Sequence, residues 1–373
     1  MVPEISICVA IYNIKEEFLR ESIESIIADK DERAEIILGD DCSSEPHVER
    51  VCREYAEKDK RIKYIRAEEN GGVSAMRNIM IEKSCGRYLT FVDGDDVVTK
   101  DYVQKIISAA DENFDTVMFC IQNFVGNPPK IENKNSKIRK LPDDARIKFS
   151  VACITGAPYD AEKFGIKNAT PSSVCLEAYR REFIIENNLK FSVGIKKSQD
   201  TVFNSQAFYF CKKLGYTEDI LYLYRQNPSS VCSRYSADLD KTFAKCFECD
   251  VKNAKKLYPD DEDVKNKLYK YKVIWNTVEN FRLNIFHRDN PKPRKERRKD
   301  FLNFIKTEPY KTFFENFDFN SYKWRERKLV LKLAKNKNFA ALDFLYKHPV
   351  WFKIYGGAAR RLETFNVFGH TKA

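Results

Sequence analysis

No run of 18 apolar residues occurs in this 373-residue chain, so no segment reads as a membrane-spanning helix. The start, Met-Val-Pro-Glu-Ile-Ser, has no basic n-region and only a short apolar run behind it. It does not read as a signal peptide. Cysteine pairs are almost missing. The eleven cysteines are an odd number, mostly scattered one at a time, which fits reduced thiols in a cytoplasm and not a disulfide framework. One pair, Cys246-Phe-Glu-Cys249, has zinc-ligand spacing, but no second pair follows and the next histidine is His287. Two ordinary helical cysteines are the simpler account. No Gly-x-Gly-x-x-Gly follows the first apolar run, which speaks against a dinucleotide-binding dehydrogenase. No nucleic-acid-binding motif is found.

What is present is a globular composition, 43% hydrophobic and 32% charged, long enough for two domains. The net charge of +10 is unevenly placed. From Tyr322 to Ala373 there are twelve Lys or Arg against three Asp or Glu, a balance of +9. The C-terminal segment is therefore a separate physical object whose partners should be anionic.

The first hundred residues alternate between two periods. Ile5 to Ile11 is a near-continuous apolar run, fit for a central parallel strand. Phe18, Leu19, Ile23, Ile26 and Ile27 then fall on one helical face. Glu35 to Leu38 is a second strand, ending at Gly39-Asp40-Asp41. Ser43 and Ser44 can cap the next helix, with Val48, Val51, Cys52 and Tyr55 as its buried stripe. Ile62 to Ile65 is a third strand, Asn70-Gly71-Gly72 a turn, and Val73 to Lys83 a helix. The fourth strand, Tyr88 to Val92, ends in Asp93-Gly94-Asp95-Asp96. This alternation predicts a mostly parallel α/β sheet with helices on both faces.

Each polar candidate lies just after a strand, so all converge on one sheet edge, where open α/β sheets bind ligands. Three carboxylates within four positions repel one another unless a cation sits among them. Mg²⁺ or Mn²⁺ commonly bridges a carboxylate to a substrate diphosphate. Taken singly, each candidate has a plainer account: a solvated acidic turn, a rim tyrosine at Tyr12, an Asp-Asp pair capping a helix. Together they outline a nucleotide pocket, with an aromatic for a base, a carboxylate for a base N–H, close backbone at the glycines and a metal for phosphates.

The stretches Ile5–Asn13, Glu35–Ser44, Asn70–Asn78 and Gly86–Asp96, in this order and spacing, resemble the family 2 glycosyltransferases of the GT-A fold. The resemblance is close over about residues 4–111 and extends more weakly to about 231. It implies a GT-A catalytic domain over 1–235, its donor-binding half ending near 111 and an acceptor-side half over 112–235, with a helical, basic region over 236–373. It also implies a nucleotide-sugar donor, usually UDP-linked, and a divalent metal, Mn²⁺ or Mg²⁺. The Tyr12 position borders the base and the Asp41 position contacts it. Asp93 and Asp95 serve ribose and metal, with Asp95 or Asp96 nearest the ion. Ala10, Asn70, Gly72 and Arg77 line the donor pocket. Two departures are Ala10 for a common proline and Cys42 for a common glycine.

Transfer with inversion needs a base on the acceptor side. By the resemblance, Lys197-Ser-Gln-Asp-Thr-Val-Phe203 supplies it as Asp200, with Gln199 in place of the usual Glu. Without the family context, Asp200 reads as a helix cap. Leu221 to Arg225 resembles the family's last strand and Gln226 to Ser230 a loop closing on the diphosphate. Arg225 either pairs with phosphate or is a surface arginine. Pro171 to Phe183 occupies the acceptor side without the usual Trp or Lys, so acceptor identity does not transfer.

Beyond 236, Leu239 to Leu257, Val264 to Phe286 and Arg325 to Leu345 have helical periodicity, the last basic and amphipathic. Lys292 to Lys299 carries six basic residues and reads as a solvated helix start. Pro349 to Tyr355 and Arg360-Arg361 mix aromatics with cations. Segment 292–373 suits an anionic membrane surface or packing within the chain or against a second copy, and not nucleic acid. The expected activity is transfer of one sugar, hexosyl or N-acetylhexosaminyl, to a glycan or lipid-linked acceptor of a bacterial cell envelope. The expected location is cytoplasmic, peripheral on the inner face of the membrane. A processive synthase is disfavoured because Trp275, Trp324 and Trp351 lie in no Gln-x-x-Arg-Trp motif. The reading from another class is a non-catalytic glycan- or membrane-binding protein on the same scaffold.

Overall fold

In the computed structural model, the described residues are 2–348 without 228–232, 320–321 and 323. They form two compact units. The first holds the residues up to Cys153 together with Pro158–Asn227, and the second holds Ile154–Ala157 together with the residues after the 228–232 gap. The main division between the two units follows Asn227.

The first unit opens with β1 (Ile5–Ile11), α1 (Glu16–Ile27), β2 (Ala34–Asp40), α2 (Pro46–Lys58), β3 (Ile62–Arg66), α3 (Val73–Lys83) and β4 (Tyr88–Asp93). It continues through β5 (Val97–Val98), α4 (Tyr102–Asp111), β6 (Thr116–Phe124), β7 (Arg139–Lys140), α5 (Asp143–Thr155), β8 (Glu177–Arg180), α6 (Arg181–Glu186), α7 (Gln199–Phe210) and β9 (Leu214–Arg225). The sheet order is β3-β2-β1-β4-β8-β6-β9-β5, with β7 paired to β9. Strands β3, β2, β1 and β4 run parallel, as do β6 and β9, while β8 is antiparallel to both its neighbours. Every position of β2 and all but Ala10 of β1 are buried. Strands buried on alternating sides at once need cover on both faces, which is the parallel-sheet condition.

Register puts the functional ends together. Ile11 pairs with Asp40, and Ala10 with both Gly39 and Asp93. The carboxyl ends of β1, β2 and β4 are therefore level. At the opposite end, the buried Glu35 carboxylate accepts from Ser6 Oγ, Cys85 N and Gly86 N, and Lys63 Nζ donates to it at 2.7 Å. This one carboxylate ties the starts of β1 and β4 to β2.

Helix α2 begins differently from the Ser43/Ser44 cap expected. Its N-cap is Glu45, with no side-chain cap bond. Asn13 Oδ1 instead accepts from Ser44 N at 2.8 Å and Glu45 N at 3.2 Å, and Asn13 N donates to Ser43 Oγ at 2.9 Å. The helix start is capped from the end of β1, thirty residues away, so local sequence alone could not give it. The α2 stripe, Val48, Val51, Cys52 and Tyr55, is buried as expected.

The second unit is helical: α8 (Leu239–Leu257), α9 (Glu262–Lys267), α10 (Val273–Asn280), α11 (Arg294–Phe304), α12 (Tyr310–Asn316), α13 (Arg325–Lys335) and α14 (Phe339–Lys347). The long helix expected from Val264 to Phe286 exists as α9 and α10 joined and followed by π-helical turns at Leu268–Lys272 and Phe281–Ile285. The single helix expected from Arg325 to Leu345 is two. Lys337 adopts φ 55° and Asn338 caps α14 by accepting from Ala341 N. Of the apolar residues of α13, Val330, Leu331 and Ala334 are buried, and Leu329 and Leu333 are half-buried. In the basic run, Arg297 turns inward and meets Asp343 at 2.7 Å. The aromatic–basic segment 349–361 lies outside the described residues.

Gly86 is the tightest point of the sheet. A Cβ there would stand 2.4 Å from Ser6 N and 2.5 Å from Ile5 C. Neither is a side chain that can swing away. Gly86→Ala should cost about 2–3 kcal/mol, lowering the midpoint of thermal unfolding by about 2–4 °C for each kcal/mol. An unchanged midpoint by calorimetry would show that the β1–β4 start is looser than described.

Candidate functional site

The site starts from the loops that follow β1, β2, β3 and β4. Tyr12 is 48% exposed at the rim, so its ring is open to a ligand. Ala10 lies beneath, its carbonyl accepting from Gly94 N at 2.9 Å. Cys42 takes φ 57°, a left-handed conformation that glycine reaches more easily.

Asp41 is buried and organises the next loop. Its Oδ1 accepts from Gly71 N at 2.9 Å, and its Oδ2 from Gly72 N at 2.8 Å and Asn70 Nδ2 at 2.9 Å. Gly72 sits at φ 80°, ψ 163°, a region essentially closed to other residues. The turn expected at 70–72 is therefore folded around a carboxylate. Burial pushes Asp41 above the usual range, the two backbone N–H groups pulling the other way.

The acidic loop after β4 divides into three roles. The Asp93 carboxylate is 43% exposed and accepts from Arg77 at 2.9 Å. Asp95 has its pKa pushed up to about 6, first by burial and then by the Asp93 charge. Asp96, expected at the metal, is turned inward. Its Oδ2 accepts from the Tyr222 hydroxyl at 2.6 Å and its Oδ1 from Arg225 N at 2.7 Å. Both oxygens tie the loop to β9, and burial holds this carboxyl well above its ordinary range.

Arg225 was expected either on phosphate or on the surface. It is not on the surface. Its guanidinium is buried, donating to Asp95 O at 2.8 Å, to Gly126 O at 3.1 Å and to Glu21. Phe18 and Phe124 flank it, 4.4 and 4.6 Å from their ring centres. It supports the acidic loop from beneath. The remainder of the expected closing loop, 228–230, lies outside the described residues.

Asp200 lies in the first turn of α7, not at its cap; the N-cap is Ser198 at φ 62°. The helix is pinned by Phe203, which stacks on Phe191 at 4.2 Å and 8°. Phe191 is clipped to α3 by a reciprocal pair with the Asn78 amide, both at 2.9 Å. Asp200 Oδ1 accepts from Arg77 at 2.6 Å and Oδ2 from Val174 N at 3.3 Å. Its side chain keeps 17% exposure, enough for contact with a ligand. Burial raises its pKa, and Arg77 pulls it part of the way back.

Arg77 thus joins the two halves. Its guanidinium is 2% exposed and bonds Asp93 with one nitrogen and Asp200 with the other. Residues missed from sequence are Tyr222, Glu21, Cys175 and Glu177. Cys175 Sγ lies 3.8 Å from Arg77. Glu177 is fully buried, with Oε2 near Asn204 and Tyr179 and Oε1 without a partner. Their only sequence signal was polarity inside otherwise apolar segments. Gln199 Oε1 is likewise buried and unpartnered.

The Asp95 shift has a stability consequence. A carboxyl raised from about 4 to about 6 penalises the folded state when ionised. That penalty is absent below pH 4, where the group is protonated in both states, and complete above pH 6. Asp95→Asn should therefore stabilise the metal-free protein at pH 8 by about 1–3 kcal/mol and do nothing at pH 4. Equal melting shifts at both pH values would contradict this.

Residues 6–164 match the family profile described as Glycosyl transferase family 2. The glycosyltransferase EpsJ of Bacillus subtilis is 29% identical over 252 residues, spanning 67% of this chain and 70% of EpsJ. YibD of Escherichia coli is 29% identical over 229 residues, 61% of this chain and 63% of YibD. Among solved structures, S. aureus TarS 1–349 in complex with UDP-GlcNAc superposes with a TM-score of 0.59 at 16% identity, over 93% of this chain and 92% of TarS 1–349. That likeness shows the GT-A-type α/β fold with its helical C-terminal region. Residues 6–164, with these motifs in order at one sheet edge, are a glycosyl transferase family 2 domain.

Proposed function

We propose that this glycosyltransferase moves a single sugar from a UDP-sugar to a hydroxyl of a cell-surface glycan or its lipid-linked precursor, with inversion, and that Asp200 is the general base. The observation that carries the reading is the shared guanidinium of Arg77. It sets the donor-side carboxylate Asp93 and the acceptor-side carboxylate Asp200 against one fixed group. An inverting transfer needs this arrangement, a base facing the sugar from the side opposite the departing diphosphate.

Tyr12 would lie against the base, and the Asp41-held turn at 70–72 would bring backbone close to the ribose and phosphates. The TarS complex holds UDP-GlcNAc on a similar fold, so UDP-N-acetylglucosamine is the first donor to try. Asp95 and Asp93 fit a hard divalent cation: both are oxygen donors, and burial with mutual repulsion leaves Asp95 poorly compensated. Among the described residues no group of three His, Cys, Asp or Glu side chains could hold an ion alone. The remaining ligands would come from diphosphate and water, as is usual for Mg²⁺. The chemistry expected of such an ion is stabilisation of charge on the leaving diphosphate. Asp200 then takes the proton of the attacking hydroxyl at Oδ2, the oxygen that Arg77 does not hold.

No helix among the described residues is long and apolar enough to cross a membrane. The cell-envelope acceptor rests on the family resemblance. Membrane-surface contact through 292–373 rests on its charge.

The test is nucleotide release from UDP-, GDP- and dTDP-sugars with Mn²⁺ or Mg²⁺, and with chelator. Release from a UDP-sugar should depend on the metal. Asp200→Asn should lower kcat by about 10²–10⁴-fold, the usual contribution of a general base, with UDP affinity little changed. Unaltered transfer by Asp200→Asn would remove it as the base. Silence on every donor without metal-dependent UDP binding would favour a non-catalytic binding protein.

A further inference from the structure

Arg77, expected to line the donor pocket, has both terminal nitrogens bonded inside the protein and its Nε buried without a partner. One terminal nitrogen bonds Asp200 Oδ1 at 2.6 Å, and the other bonds Asp93 Oδ1 at 2.9 Å. The faces of Phe91 and Phe191 stand 5.7 and 5.4 Å from its centre. Cys175 Sγ closes a further side. The residue is 2% exposed, whereas Asp93 and Asp200 keep 43% and 17% exposure. The arginine is therefore a floor, and the two carboxylates rise from it toward solvent.

Resting on the reading of Asp200 as base, we propose that Arg77 is the positioning residue of the transfer step, fixing the orientation of Asp200 and tying it to the donor-side carboxylate Asp93. A planar guanidinium with two parallel N–H groups sets both the direction and the spacing of two carboxylates at once. An ammonium is a point charge and sets neither. The groups facing Asp200 are Arg77, Val174 N, the Asp93 carboxylate and the buried acidic side chains of Cys175 and Glu177, which burial favours in their neutral forms. Arg77 is the one cation among them. Without it Asp200 would face only acidic neighbours and one weak backbone donor, free to turn from the acceptor.

The arrangement also links the two substrates. Any ligand that draws Asp93 toward itself loosens one of the two bonds of Arg77. The guanidinium is then held by Asp200 alone. Donor occupancy thereby acts on the acceptor-side base through a single shared group, with no movement of α7.

The experiment compares Arg77→Lys with wild type for kcat, KM for the donor that turns over, UDP affinity with Mn²⁺ by calorimetry, and thermal midpoint. The expected result is loss of kcat by about a hundredfold, the scale of a 1 Å misplacement, with UDP affinity within about threefold. Arg77→Ala should be slower still and should regain activity with added guanidinium ion, a rescue that a merely structural role would not give. If Arg77→Ala does not fold, Arg77→Lys alone decides. A KM and UDP-affinity defect with unchanged kcat would overturn the proposal and return Arg77 to donor binding. Unchanged kcat and KM would overturn it as well. Failure of the underlying reading looks different, because Asp200→Asn would then keep full transfer whatever Arg77 does.

Discussion

The rest of the site depends on one buried guanidinium shared by two carboxylates. A charge withdrawn from water is tolerable only when paired and hydrogen-bonded, and removing one partner of such a set costs about 3–5 kcal/mol. Arg77 meets that condition by holding Asp93 and Asp200, 107 residues apart in sequence, against its two terminal nitrogens. The constraint runs outward from there. Asp93 fixes the end of β4, and Asp200 fixes the start of α7. The packing of Phe203 on Phe191 and the Asn78 clip hold α7 and α3 in the positions that this bonding needs. The first unit therefore holds the two carboxylates proposed to face donor and acceptor with little freedom between them.

The acidic loop is arranged by the opposite logic. Its inner parts are saturated: Asp96 by Tyr222 and Arg225 N, and the Asp95 carbonyl by the Arg225 guanidinium. Its outer carboxylate, Asp95, is less fully compensated, and burial and the Asp93 charge push its pKa up to about 6. Rigid support beneath and unrelieved charge above is what a cation site requires before the cation arrives. The cost in stability is the ordinary price of a preorganised site.

Much of this was legible in the chain. The burial period of β1, β2 and α2 and the strand-end placement of Tyr12, Asp41, Asp93 and Asp95 could be read because they are local properties. Side-chain direction at the sheet edge could not. Whether Asp95 or Asp96 faces outward is set by Tyr222 and Arg225, about 130 positions away, and the capping of α2 is set by Asn13 across the sheet. Arg225 shows the same limit: an arginine at a strand end is equally suited to phosphate, solvent or a carbonyl, and only the Glu21 and Gly126 contacts decide. The break between α13 and α14 was locally written, in Asn336-Lys337-Asn338, but basic periodicity on either side masked it.

The most direct measurement is a crystal structure with UDP and Mn²⁺ bound. The account predicts the base against Tyr12, the ion on Asp95 and the diphosphate but not on Asp96, and Asp200 still on Arg77 with one carboxylate oxygen facing the donor. An ion coordinated by Asp96, or UDP bound away from the ends of β1, β2 and β4, would contradict it.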